Sequence, residues 1–470
     1  MLATASTAFA EGEVVTKQYD DGSVYEGTFK NGLQDGTGTY RLPNGYEYSG
    51  EWVAGEIRGT GRALYPNGSV YEGQFQQGKP EGTGKITFAD GGTYQGDWTD
   101  GTMTGKGRAA YANGSVYVGG FSNGQHHGTG EVTDGAGYSY VGIWVDGKKE
   151  GKGRITYPDG AIYDGTLVQG VRDGTGTLTM PDGLTYVGDW KGGQINGTGK
   201  LTQPNGDVYA GHFVEGQRQG IGKVTYANGD LYDGAFAADK RQGKGIFTAR
   251  DGAIYSGDWQ AGRMQGTGRM TYTDGSVYAG AFKGDLPDGG GKITYPDGST
   301  YDGQWKSGTI TGIGRATYAN GSTYEGALVA AEPEGTGVMT YADGYRYEGM
   351  WKSGLREGQG TASWPDGAVY KGGFKAGLRD GKGDLTQPDG FTYSGDWKAG
   401  EMSGAGIATY PGGDVYEGTF VMGRREGQGK LRYAGGEEAS GQWTKGVLSA
   451  PDPAPVAPAT EPAPVAPASN

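Results

Sequence analysis

The sequence predicts an all-β fold: an elongated, twisted, single-layer antiparallel rod of β-hairpin repeats with no separate globular core. Three observations predict it. Tyrosine recurs every 23 residues from Tyr25 to Tyr416 without insertion or deletion. Glycine supplies 100 of 470 residues and hydrophobic types only 34%, too little aliphatic side chain for several ordinary cores. The 33 Tyr, 12 Phe and 10 Trp are nevertheless too many for a disordered chain, and aromatics held at a fixed period signal a repeat architecture.

With that tyrosine as position 0, glycine stands at +2, +11, +13 and +20 in every unit, and +4 is Phe, Trp or, at Leu167 and Leu328, Leu. A degenerate last unit keeps Gly441 and Trp443 but has Ala439 for the tyrosine. Positions 0, +2 and +4 alternate as on one face of a strand, and +11, +13, +15 and +17 as on a second. Each unit is therefore two short strands. Between +17 and the next tyrosine lies x-Asn/Asp-Gly, as in Pro66-Asn67-Gly68. A three-residue loop there keeps the faces aligned: a type I turn with glycine in the left-handed bulge position. For the other turn, a four-residue loop such as Asn31-Gly32-Leu33-Gln34 preserves the same face.

Register follows from the turns. Tyrosine 0 is expected opposite +15, Gly +2 opposite Gly +13, and Phe/Trp +4 opposite Gly +11, both within a unit and into the next. The glycine rows, among them Gly188, Gly197 and Gly199, form a trough in which aromatic rings lie down on bare backbone. The other face is polar, with acids at +1 opposite bases at +14, such as Glu72 beside Arg62 and Lys85, or Asp302 beside Lys292 and Arg315. These read as cross-strand charge ladders.

Three segments result: 1–12, 13–446 and 447–470. The first, with Ala8-Phe9-Ala10 before Glu11, reads either as the remnant of a secretory signal whose start lies upstream, implying export to the periplasm or cell envelope, or as a small-residue tail of a cytoplasmic protein. Residues 13–446 are the array, with Tyr19 and Gly22 belonging to a preceding half unit and the Ala439 unit closing it, both as caps for exposed edge strands. Residues 447–470 are a Pro/Ala-rich tail of polyproline character, expected to be disordered.

The formal net charge of −13 repels nucleic acid and anionic lipid. Without cysteine there is no disulfide, thiolate nucleophile or thiolate metal site, and no apolar run approaches the ~20 residues of a membrane-spanning helix.

The motif Tyr-x-Gly-x-[Phe/Trp]-x-x-Gly-x-x-x-Gly-x-Gly, as in Tyr71-Glu72-Gly73-Gln74-Phe75-Gln76-Gln77-Gly78 continuing to Gly82 and Gly84, resembles the MORN (membrane occupation and recognition nexus) repeat over residues 19–446. The resemblance implies a hairpin rod that acts as a scaffold beside membranes or in protein assemblies, in some members as a homodimer. It also implies direct lipid contact, which the acidic charge does not favour. Some relatives carry the repeats beside a lipid kinase domain, and no residues here remain for one.

No phosphate loop or dinucleotide fingerprint accompanies the Gly-x-Gly pairs. His126 and His127 read as solvated turn residues rather than metal ligands. No catalytic residue, metal or cofactor is expected. The leading expectation is a non-enzymatic scaffold with a protein partner. The alternative is a cell-wall or carbohydrate-binding repeat that uses an aromatic surface of Tyr48, Trp52, Tyr94, Trp98, Tyr140, Trp144, Tyr186, Trp190, Tyr255, Trp259, Tyr301, Trp305, Tyr347, Trp351, Tyr393 and Trp397. Peripheral lipid binding ranks third. Ring exposure separates the first two.

Overall fold

The computed structural model describes residues 12–453. It contains 39 strands and no helix among them. The chain divides into two compact units, Met1–Gln242 and Gly243–Asn470, with the division inside strand Lys240–Thr248. In each unit the strands pack substantially only on their sequence neighbours, as an open antiparallel sheet without a second layer. The signal-like segment, through residue 11, and the tail from residue 454 lie outside the described residues.

The local chemistry explains each element. A seven-residue strand such as Val70–Gln76 carries the tyrosine and the Phe/Trp, and a nine-residue strand such as Lys79–Thr87 carries the glycines. The Pro-Asn-Gly connection is the three-residue loop anticipated from parity. The Gly68 amide donates to the Tyr65 carbonyl at 2.9 Å and the Tyr65 amide to the Ser69 carbonyl at 2.8 Å. Gly68 has φ +87°, and the Asn67 side chain accepts from the Ser69 amide, the Asx arrangement that makes Asn and Asp favourable here.

The other connection corrects the expected four-residue loop. Lys30 pairs directly with Leu33, leaving a two-residue turn in which Asn31 (φ +51°) and Gly32 (φ +80°) are both left-handed, a type I′ turn that matches the strand twist. Parity survives because a bulge follows. Gly27 faces Gly38, but Phe29 faces Gln34, so Asp35, Gly36 and Thr37 oppose Thr28 alone. Within a unit +4 therefore faces +9, not Gly +11. Gly36 sits in the bulge at φ +92°, and its glycine is needed for backbone conformation. Into the next unit the expected pairing holds: Gly36 faces Trp52 and Tyr40 faces Tyr48.

The type I′ turns are tied to the preceding unit. The Gly55 amide donates to the Gln34 carbonyl at 2.8 Å, and the Ala54 amide to the Asp35 carboxylate at 3.0 Å. The same side-chain bond recurs from Asp100 to Glu81, Gln169 to Glu150, Ser353 to Glu334 and Lys445 to Glu426. Where +10 is an acidic residue, as at these five positions, it thus stitches the hairpin to its successor; Arg58 at the same position offers no acceptor.

Both ends extend the pattern. Val15–Gln18 pairs with the first tyrosine strand. Strand Val447–Pro451 pairs with Glu438–Thr444, so the array runs past residue 446, where the tail was expected to begin. Leu448 occupies +9 of the degenerate unit and faces Trp443, completing the hairpin.

Candidate functional site

The candidate surface begins with the rings at 0 and +4. Tyr186 lies over Gly188 and Gly199, where an added Cβ would meet its hydroxyl oxygen at 2.5 Å and a ring carbon at 2.5 Å respectively. Its hydroxyl donates to the Asp189 carbonyl at 2.9 Å, a bond repeated by Tyr48, Tyr94 and Tyr140 to the residue three positions on. Trp190 donates its indole N–H to the Gly176 carbonyl of the preceding unit at 3.2 Å, as Trp52 does to Gly38 and Trp397 to Gly383. The rings meet edge to face: Tyr25–Trp52, Tyr48–Trp52 and Tyr48–Phe75 have centroids 5.1, 5.7 and 5.0 Å apart. Each such pair adds roughly 0.5–1.5 kcal/mol beyond area burial.

The consequence for the exposure of this row, which the sequence left open between two readings, is burial. Tyr48, Tyr94, Tyr140, Tyr186 and Tyr347 are 0% exposed, and Trp52, Trp98, Trp144, Trp190, Trp259, Trp351 and Trp397 are all buried. Tyr255, Tyr301, Trp305 and Tyr393 are buried with them. The sixteen residues named as an aromatic surface are the core. The physical reason is the glycine trough: with no Cβ beneath it, each ring lies flat, and the neighbouring Phe or Trp seals its edge. Burial pushes the Tyr94 and Tyr186 hydroxyls up to about 12, so both keep their protons at neutral pH. Gly188 and Gly199 are the trough glycines they were expected to be. Gly197 instead serves the bulge, at φ +107°.

Two other rows reach solvent on this face. Position +17 is half-exposed: Tyr111 is 42%, Tyr318 38% and Tyr433 40% exposed, with Tyr341, Trp364 and Tyr410 intermediate. Trp364 packs on Tyr345 at 5.2 Å. Position +9 covers the +4 rings and often carries a cation. Arg172, Arg379 and Arg425 lie 4.2, 4.1 and 4.3 Å over Trp190, Trp397 and Trp443, each donating at 2.8 Å to the carbonyl of Gly193, Gly400 or Gly446. These cations were missed because +9 is variable in type; they became legible only once the bulge placed +9 opposite +4. His126 is also a +9 residue, in strand Gln125–Thr133, stacked 3.6 Å from Tyr117 and hydrogen-bonded to the Tyr111 hydroxyl at 2.6 Å. It is not a solvated turn residue, and burial pushes its pKa down to about 4.

The opposite face holds the charge ladders in the anticipated register. Glu72 faces Arg62 and Lys85, and Asp302 faces Lys292 and Arg315. Arg62–Glu72 and Arg154–Asp164 both stand at 3.7 Å. A shallow depression there is lined by Lys371, Lys382, Asp384, Ser394 and Glu417, with Lys382 bound to Asp396 at 2.7 Å. Among the described residues no cluster of His, Asp and Glu could hold a metal, and no buried side-chain polar atom lacks a partner.

Two Alsin chains are similar over 53 residues: the Rattus norvegicus protein at 45% identity and the Homo sapiens protein at 42%, over 10% of this chain and 3% of theirs. Among solved structures, the SAS-4 TCP domain of Drosophila melanogaster in complex with a proline-rich motif of Ana2 is 15% identical, over 37% of this chain and 86% of that one, with a TM-score of 0.22. A streptogramin B lyase structure is 12% identical, over 64% and 92%, with a TM-score of 0.11. The MORN repeat model matches eighteen consecutive segments from residues 25–45 to 416–438. The buried tyrosine, the paired glycines and the Phe/Trp at +4 recur in the units so matched, and the chain belongs to the MORN repeat family.

Proposed function

We propose that the protein is a non-enzymatic scaffold that offers its repeated surface to a protein partner. The observation that carries this reading is the burial of the 0 and +4 rings, which act as the structural core and leave the +9 and +17 rows and the charge ladders as the surface. A sugar-binding platform needs ring faces that stand free. Here Tyr48 and Trp52 are 0% and 5% exposed, which favours the scaffold over the carbohydrate reading. Paired bases on the ladder face and a net charge of −13 likewise favour a protein over an anionic membrane.

The test is site-specific photo-crosslinking from Tyr111 and Tyr318, set beside co-sedimentation with anionic vesicles and with insoluble peptidoglycan. The reading expects a discrete protein adduct at these sites and no salt-resistant sedimentation with either polymer. Sedimentation with peptidoglycan, or with vesicles in a way that fades with salt, without a protein adduct, would overturn it.

A further inference from the structure

Position +21, the residue after the turn glycine, shares a face with the tyrosine two residues on. Tyr46, Tyr138, Leu184, Tyr345 and Phe391 place large side chains there. Each aromatic among them packs on the +17 ring of the next hairpin. The centroids are 5.8 Å apart for Tyr46–Tyr65, 6.4 Å for Tyr138–Tyr157, 5.2 Å for Tyr345–Trp364 and 5.7 Å for Phe391–Tyr410. The +17 rings so covered are of intermediate exposure.

At Gly92 the side chain is missing. Phe88 before it and Tyr111 after it, both at +17, are 36% and 42% exposed. The turn does not call for glycine at this residue, because its left-handed position is Gly91, at φ +90°. A Cβ on Gly92 would meet nothing nearer than the Asp90 carboxylate oxygen, at 3.0 Å. Tyr46 occupies the equivalent place with the Asn44 side chain accepting from its amide at 3.0 Å, so a ring is compatible with the turn. What remains at Gly92 is a cavity of about 140 Å³ walled by Phe88, Tyr94, Met103, Ala109, Tyr111 and Phe121. An apolar cavity of roughly 150 Å³ takes one benzene ring.

Charge narrows the ligand. Beside two of the +21 tyrosines the +9 residue is a cation: Lys149 lies 4.6 Å over Tyr138 and Arg356 5.7 Å over Tyr345. Beside Gly92 it is Met103, which offers a ring its thioether and offers an anion nothing. The one charged residue in the lining is Asp90, whose carboxylate accepts from the Gly92 amide at 2.9 Å and repels other carboxylates.

We propose that this cavity binds one uncharged, benzene-sized aromatic ring, in the place that Tyr46, Tyr138, Tyr345 and Phe391 fill from within their own hairpins. The ring lies between Phe88 and Tyr111 and against Met103. It belongs to a free small molecule or to a phenylalanine or tyrosine side chain of another protein, and the recognition chemistry is the same.

The test is ligand-observed fluorine NMR on the full-length protein. Para-fluorotoluene supplies the free ring, N-acetyl-para-fluorophenylalanine amide the ring on a peptide backbone, and para-fluorobenzoate the charged control. Para-fluorotoluene is expected to broaden and to be displaced by toluene, and para-fluorobenzoate to bind at least about tenfold more weakly, since a buried carboxylate has no partner there. Gly92→Tyr, which fills the cavity from within, is expected to weaken binding at least about tenfold, and Tyr111→Ala, which removes a half-exposed wall, by about tenfold. Ser299→Tyr, at +21 before Tyr318 in the second unit, is expected to leave it unchanged. Binding of the free ring alone assigns the site to a small molecule, and binding of the amide as well assigns it to an aromatic side chain. No displaceable binding of para-fluorotoluene, equal binding of para-fluorobenzoate, or undiminished binding in both Gly92→Tyr and Tyr111→Ala would each overturn the proposal.

Discussion

Replacing Gly188 by valine tests the trough directly. A Cβ built on Gly188 lies against the Thr198 carbonyl oxygen, 2.5 Å from the Gly199 Cα and 2.5 Å from the Tyr186 hydroxyl. The first two are backbone atoms of the paired strand, so the side chain that gives way is Tyr186. Expelling a fully buried aromatic ring costs about 3–5 kcal/mol, and breaking its bond to the Asp189 carbonyl about 1 kcal/mol more. The lower end of that sum, about 4 kcal/mol, comes off the local opening free energy of strands Thr185–Lys191 and Gln194–Thr202 and raises the opening equilibrium by nearly three decades, at about 1.4 kcal/mol per tenfold. Native-state hydrogen exchange reads this as amide exchange faster by roughly a thousandfold in those strands and their neighbours, because each hairpin is supported only by those beside it. The control is Gly183→Asn. Gly183 is left-handed at φ +96° with nothing within 4 Å of its would-be Cβ, and asparagine tolerates that conformation; its cost is expected below about 1 kcal/mol. Unchanged exchange in Gly188→Val would refute the trough.

Three further outcomes are expected. Trp190→Phe, which keeps an aromatic ring but loses the 3.2 Å bond to the Gly176 carbonyl, should cost about 1 kcal/mol by denaturant midpoint, whereas Trp190→Ala should cost about 3–5 kcal/mol; a Phe variant as stable as the parent would deny the hydrogen bond a role, and equal costs would deny one to the ring. Ala54→Asn, at a position held at φ +51°, should stabilise the first unit by about 0.5–1 kcal/mol, because asparagine enters a type I′ turn with less strain; a loss of stability would contradict the turn assignment. His126 titrates at about 4 in the fold against 6.5 for the free side chain, so the folded state binds the proton less well. Its contribution is complete above about pH 6.5 and is lost as pH falls toward 4, by about 1 kcal/mol after allowance for solvent around a half-buried ring. His126→Met, matching Met103 one repeat earlier, should remove that part of the slope when unfolding is compared at pH 7 and pH 4.5.

Much of this was legible in the sequence, for a physical reason. The period of 23 and the alternation of Tyr, Gly and Phe/Trp fix which residues share a face, and the Asn-Gly and Asp-Gly signals fix one turn. Tyr25 opposite Tyr40, Gly27 opposite Gly38 and Glu72 opposite Lys85 follow from these alone. Parity could not separate a four-residue loop from a two-residue turn followed by a bulge, since both return the chain to the same face. The recurring glycine at +11 was ambiguous for the same reason: bare backbone under a ring and a left-handed bulge both demand it. Ring exposure was illegible because it depends on whether Tyr186 lies along the sheet or stands up from it, a side-chain torsion that alternation does not encode. His126 and Arg379 were hidden in a column whose residue type changes from Pro80 to Met103 to Arg172, since any side chain that covers a Phe or Trp edge suffices there.

The central claim is that the rings at 0 and +4 are the core and not the surface. Trp364→Phe removes the half-exposed indole at +17, and the other nine of the 10 tryptophans all stand at +4, between 4% and 8% exposed. Acrylamide quenching of that variant measures the claim with little interference. The account predicts a blue-shifted emission and weak, uniform quenching that soluble glycan fragments leave unchanged. Quenching as efficient as that of free tryptophan, or protection on adding glycan, would contradict it.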